Sequence, residues 1–245
     1  MKFLKKFENH TQYDNYINGS GAILPNVSIC TTEGDVHYNP FVETRVVCKY
    51  NVTSTSGPTA LRTSYENNIF KSMEIDGVML DELVTEYTFD TVGIHTVKYE
   101  LYDETKLGNS SPVFNNNNLI ECIIPNNVTS IGRNVFLNCS GLISIDIPSG
   151  VTSIGDWALY GCTSLTSIVI PDSVTSIGNS AFDYCTSLTS IVSNAATAPT
   201  IDSSTFRDVK TGGTLTVPNG STGYDVWMQN TDYYLGLYNW TKVEQ

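Results

Sequence analysis

Between Pro125 and Val192 the chain writes one phrase three times. Residues 125–147 read PNNVTSIGRNVFLNCSGLISIDI, residues 148–170 read PSGVTSIGDWALYGCTSLTSIVI, and residues 171–192 read PDSVTSIGNSAFDYCTSLTSIV. The copies open on Ile124, Ile147 and Ile170, a spacing of 23 residues. A period between roughly 20 and 50 residues marks a solenoid, in which each copy is one coil that leans on the next. Val128, Ile131, Phe136, Cys139, Leu142 and Ile145 all have apolar counterparts in both later copies. A lone coil buries too little to offset the entropy of ordering it, whereas stacked coils bury both flanks and share backbone hydrogen bonds. Worn copies flank the clear ones. Leu107-Gly108, Phe114, Leu119 and Cys122 keep the pattern upstream, and Phe206, Leu215 and Val217 keep it downstream. End coils must present a wettable face, so worn ends are expected.

Upstream of the repeats the period changes to two. In RVVCKYNV, Val46, Cys48, Tyr50 and Val52 share one face, and in HTVKYELYD, Val97, Tyr99 and Leu101 do the same. MEIDGVML reads as two strands around Asp76-Gly77, a strong hairpin signal. Four to six antiparallel strands with one buried face are therefore expected over 44–103. Residues 1–43 contain a predicted short helix, TQYDNYI, with Thr11 as its N-cap, followed by a stretch broken by Pro25, Gly34 and Pro40.

Composition excludes several functions. Against 13 basic residues stand 25 acidic ones, a net charge of -12 that repels nucleic-acid phosphates. No apolar run is long enough to span a bilayer as a helix, and the first residues lack the apolar core of an export signal. Of six cysteines, Cys139, Cys162 and Cys185 fall on the repeat spacing rather than in a CxxC pattern, so they read as buried thiols and not as metal ligands. The three histidines, His10, His37 and His95, lie beside no nucleophile motif, and no HExxH, P-loop or GxSxG occurs. No catalytic residue, cofactor or metal site is expected.

The phrase I-P-x-x-V-x-x-I-G-x-x-A-F-x-x-C-x-x-L-x-x-I resembles the BspA-like leucine-rich repeats of bacterial surface proteins. The resemblance implies a mainly β fold with a short leucine-rich repeat solenoid over 104–245, closed by TLTVP, a short helix and an aromatic-rich strand. It implies a parallel strand per coil at LTSIVI, with Ile143, Ile145 and Ile147 inward and Ser144 and Asp146 outward. YTFDTVGIHTVKYEL in 44–103 resembles small immunoglobulin-like modules, and KFENHTQYDNYI, LPNVSIC and VHYNP resemble an N-terminal docking module on surface and virion proteins of gut Bacteroidetes and their phages. Two readings follow. One is a non-catalytic, extracellular or cell-surface adhesin for a host protein or glycan. The other is a structural or decorating protein of a phage virion, assembled with other virion proteins, for which homo-oligomers are the natural form.

Candidate contacts fall into two sets. The outward strand positions are Glu121, Ser144, Asp146, Ser167, Val169, Ser190 and Val192. The second set comprises aromatics where sister copies are mostly polar or small. Trp157 replaces Asn134 and Ser180, Tyr160 stands against Leu137 and Asp183, and Tyr184 against Asn138 and Gly161. Such rings either stack on a sugar or protein partner or cover one another. Tyr224, Trp227, Tyr233, Tyr234, Tyr238 and Trp240 form an aromatic tail suited to capping the last coil.

Overall fold

The computed structural model describes residues 45–63, 69–108 and 111–245, which belong to one compact unit. The expected helix at TQYDNYI and the 1–43 docking module lie outside the described residues. Six short strands come first: β1 (Val46–Val52), β2 (Thr59–Ala60), β3 (Phe70–Ile75), β4 (Val78–Met79), β5 (Glu86–Tyr87) and β6 (Gly93–Leu101). Strand β6 pairs antiparallel with β1 on one side and β3 on the other, and β4 folds back on β3. The turn between β3 and β4 holds Asp76 at φ 48° and Gly77 at φ 85°, the two left-handed residues that a tight hairpin demands. Alternation follows the sequence, with Val46, Cys48, Tyr50 and Val52 buried. Strands β2 and β5 form a separate pair of two residues each.

The repeats alternate two kinds of strand. Strands β7 (Lys106–Leu107), β9 (Ser130–Ile131), β11 (Ser153–Ile154) and β13 (Ser176–Ile177) form one parallel sheet, ordered by coil. The other side carries β8 (Leu119–Ile123), β10 (Ser144–Asp146), β12 (Ser167–Ile170), β14 (Ser190–Ser193), β15 (Thr214–Val217) and β16 (Thr241–Glu244). Register is rung on rung: Ser153 faces Ser130 and Ser176, and Ile168 faces Ile191. Coils approach closely at the VTSIG glycine. A Cβ on Gly178 would sit 2.5 Å from the Asp156 nitrogen, closer than any side chain permits.

Strand β8 joins the two halves. It pairs parallel with β10 and antiparallel with β1, so the sheet runs β10-β8-β1-β6-β3-β4 without interruption. The open edge of the first coil is thereby closed by the antiparallel strands, which removes an aggregation-prone edge. The interior is continuous too. One cluster of buried residues runs from Val46 to Trp240, and Phe114 stacks on Phe136 at 5.4 Å across the first coils while meeting Tyr99 at 5.6 Å. Burying one such ring contributes about 2–3 kcal/mol.

Ile143 departs from expectation. It is 54% exposed, while Leu142 and Ile145 are buried. The strand begins only at Ser144, after a turn that breaks the alternation. Thr166 and Thr189 hold the same place in the later coils and are also exposed. Ile147 is half-buried.

The last coil is closed by the aromatic tail. Tyr224, Trp227 and Trp240 are buried, and their polar ends reach backbone: Trp227 Nε1 donates to Pro199 O at 3.1 Å and Trp240 Nε1 to Lys210 O at 2.7 Å. The expected short helix is a single 3-10 turn, Leu235–Tyr238, the only helical segment among the described residues.

Candidate functional site

Each coil carries a turn between its two strands, residues 133–138 in the first clear copy. Two places in that turn need left-handed backbone. The first is held by Asn134, Trp157 and Ser180 at φ 62°, 51° and 52°. The second is held by Asn138, Gly161 and Tyr184 at φ 58°, 72° and 60°. Asn and Gly adopt this conformation at little cost, but a bulky side chain pays about 1–2 kcal/mol. Trp157 and Tyr184 are therefore expensive at these two places.

Both rings are part of larger contacts. The Arg133 guanidinium lies 4.1 Å from the Trp157 ring centroid. Tyr160 rides the same turn, its N–H donating to the Trp157 carbonyl at 3.3 Å, and its ring meets that of Tyr184 at 5.5 Å and 51°. Arg207, one coil further on, sits 6.0 Å from the Tyr184 centroid and 5.6 Å from that of Tyr233. Arg207 Nη2 also lies 2.5 Å from a carboxylate oxygen of Asp183, a residue with no solvent exposure. This is an ion pair within the coil: both Asp183 carboxylate oxygens and Arg207 Nε are buried without a hydrogen bond. The Asp183 carboxylate pushes the Arg207 pKa up, and burial followed by that same charge pushes up the Tyr160 phenol. Trp157 and Tyr160 are half-buried, and Tyr184 and Tyr233 are exposed. The result is two aromatic–arginine groups on neighbouring turns: Trp157 with Arg133, and Tyr160 against Tyr184, whose ring shares Arg207 with Tyr233.

The strand positions are arranged differently. Glu121 and Ser144 are cross-strand partners, as are Ile123 and Asp146. Ser167, Ser190, Thr214 and Thr241 form a hydroxyl row, beside which run Val169, Val192, Thr216 and Val243. No ladder joins β10 to β12, so the Glu121–Ser144 and Ser167–Ser190 pairs belong to different sheets. Glu121 is engaged by Lys49 Nζ, 2.9 and 3.0 Å from its two oxygens, and serves the β1–β8 junction. Of the three predicted aromatics, the rings of Tyr160 and Tyr184 meet, whereas the Trp157 ring meets Arg133 and is tied to Tyr160 only through the backbone; the strand positions lie on separate segments of the coil. Arg133, Asp183 and Arg207 are not among the sequence-predicted contacts, and Tyr233 is expected only as part of the capping tail. Repeat phase was the available signal for two of them, because Asp183 occupies the Tyr160 position and Arg207 follows one coil later.

His95 is a structural residue. Its Nδ1 lies 2.6 Å from Asp76 Oδ2, its Nε2 lies 3.0 Å from the Thr91 carbonyl, and the Phe89 ring meets it tilted at 4.2 Å. Among the described residues no group of His, Cys, Asp and Glu side chains is placed to hold a metal ion, and no helix is long and apolar enough to cross a membrane.

No curated protein matches the chain. Two solved structures are similar over part of it. A leucine rich cell surface protein from Faecalibacterium prausnitzii A2-165 is 25% identical with a TM-score of 0.33, over 42% of this chain and 37% of that one. A leucine-rich repeat protein from Bacteroides ovatus ATCC 8483 is 22% identical with a TM-score of 0.36, over 64% of this chain and 43% of that one. The chain thus matches less than half the length of either. The family of BspA type leucine rich repeat regions matches residues 107–226 in six copies. Over those residues the repeats match the BspA-type leucine-rich repeat family, which accounts for the parallel solenoid.

Proposed function

We propose that this chain is a non-catalytic recognition protein displayed at a cell surface, where it binds a host protein or glycan through the turn face of Trp157, Tyr160 and Tyr184. One observation carries the reading. Two large aromatics occupy left-handed backbone at places where sister coils use Asn, Ser or Gly. A cost of this kind persists where the side chain serves something beyond the fold. Tyr, Trp and Arg are also the residues that dominate contact energies at interfaces, because they present large area with little conformational freedom to lose. BspA-like repeats, which resemble those of bacterial surface proteins, supply the setting.

The test begins with the intact chain on a mucin-type glycan array and a panel of immobilised mucosal proteins. A hit should weaken at least tenfold in Trp157→Asn, the residue that the preceding coil places there. Unchanged binding by that variant to every hit would remove the turn face from the function.

A further inference from the structure

Five buried cysteines stand free among the described residues. Three bond to backbone, two of them through carbonyl acceptors. Cys162 Sγ donates to Phe136 O and Cys185 Sγ to Leu159 O, each at 3.3 Å, and Cys139 bonds the backbone of Asn116. These thiols tie each coil to an earlier stretch of chain. Cys48 and Cys122 differ, because their sulfurs face one another at 3.6 Å.

Their backbones suit a covalent link. Cys48 on β1 and Cys122 on β8 are direct cross-strand partners in an antiparallel pair. Directly opposed residues in such a pair have Cα atoms about 4.5–5.5 Å apart, inside the window of roughly 4.4–6.8 Å that disulfides occupy. Both side chains point to the buried face, with no exposure. Closing the sulfurs from 3.6 Å to about 2.05 Å asks for small side-chain rotations and no strand movement.

We infer that Cys48 and Cys122 are the site of an intramolecular disulfide that locks the antiparallel strands onto the first coils. The oxidant is a disulfide donor, either a small-molecule disulfide or an exchange protein. The thiolate of one cysteine attacks the donor, forming a mixed disulfide and releasing one donor thiol. The second cysteine then attacks the mixed disulfide and releases the other donor thiol. The two cysteines lose two protons and two electrons, and the donor disulfide is reduced to two thiols. Exchange takes place on the folding chain, before β1 and β8 seal the sulfurs from any donor. The inference rests on the β1–β8 junction and is independent of the turn-face reading.

The full chain, unfolded in urea and reduced, should be refolded with a mixture of oxidised and reduced glutathione, and in parallel with dithiothreitol. Alkylation under denaturing conditions and peptide mapping then follow. The expected product is a linked peptide joining Cys48 to Cys122, about 2 Da lighter than its reduced parts, and a Tm raised by roughly 10 °C for a link spanning 74 residues. Cys122→Ala should lose both the link and the oxidant-dependent part of the Tm. The map of the unaltered chain decides the matter even if that variant folds poorly. Alkylation of both Cys48 and Cys122 after oxidative refolding would overturn the inference. So would a link from Cys122 to any other cysteine.

Discussion

Residue by residue, the repeat sorts side chains into those that make coils fit and those that are free to vary. Gly178 is of the first kind. Gly178→Ala places a methyl group against the Asp156 backbone and should cost roughly 2–3 kcal/mol in urea unfolding; a loss under 0.5 kcal/mol would show that the coils are less tightly stacked. The thiols are also of this kind. Burial pushes Cys139 up to about 12 and raises Cys48, Cys162 and Cys185 as well. A raised folded-state pKa gives stability that is complete below the unfolded value of about 8.5 and is lost as pH rises above it. Reduced protein should therefore lose stability steeply between about pH 8.5 and 11, by about 1.4 kcal/mol per buried thiol per pH unit. Flat urea midpoints over that range would contradict the burial. Asp202 works in the opposite direction. It accepts from the Ser204 N–H at 3.0 Å and the Ser204 hydroxyl at 2.7 Å, which hold its carboxyl below the usual range. Asp202→Ala should cost about 0.5–1 kcal/mol at pH 7. The difference should vanish as pH falls through the carboxylate range, where the unaltered protein loses the same bonds.

At the scale of elements, periodicity made most of the fold legible before any coordinates. The family resemblance implies β10, β12 and β14 at the LTSIVI phrase, while β9, β11 and β13 lie in VTSIG, for which it implies only the return of the coil. The Asp76-Gly77 pair placed the β3–β4 hairpin. Local alternation failed at Ile143, because a turn resets the phase before β10 begins, although the threonines of the later coils recorded the exposure. Two features left no local trace. The pairing of β1 with β8 joins strands 74 residues apart at Cys48 and Cys122, and nothing in either stretch names its partner. The missing ladder between β10 and β12 is the second, since LISIDI and LTSIVI keep the same apolar spacing. That seam has a consequence for dynamics. Amides of 165–170 should exchange with solvent at least tenfold faster than those of 188–193, whose coil is paired on both sides. Equal protection would mean that the sheet closes across the seam in solution. As for the candidate site, the aromatics were visible as departures from the repeat. Their left-handed backbone was visible only through the Asn and Gly of sister coils, and the Arg207–Asp183 pair depends on stacking that the sequence implies only through its phase.

For the whole molecule, a continuous sheet and a single interior make the antiparallel strands an integral cap of the solenoid. A fragment beginning at residue 104 would expose the β8 edge and the Phe114 side of the first coils, so light scattering should show it more aggregated than the full chain under the same conditions. On this rigid support the turn face carries rings at sites where the backbone alone prefers Asn or Gly, and the account stands on the claim that contact with a partner maintains them. The most direct measurement pairs thermal unfolding with partner binding for Trp157→Asn combined with Tyr184→Gly, both substitutions borrowed from sister coils. Relief of the left-handed strain offsets the lost ring contacts, so the predicted result is a Tm within about 3 °C of the parent, together with at least a hundredfold loss of affinity for the array-identified partner. A protein that melts far lower while binding its partner as tightly as before would contradict the account, because the rings would then be part of the packing and not of the contact.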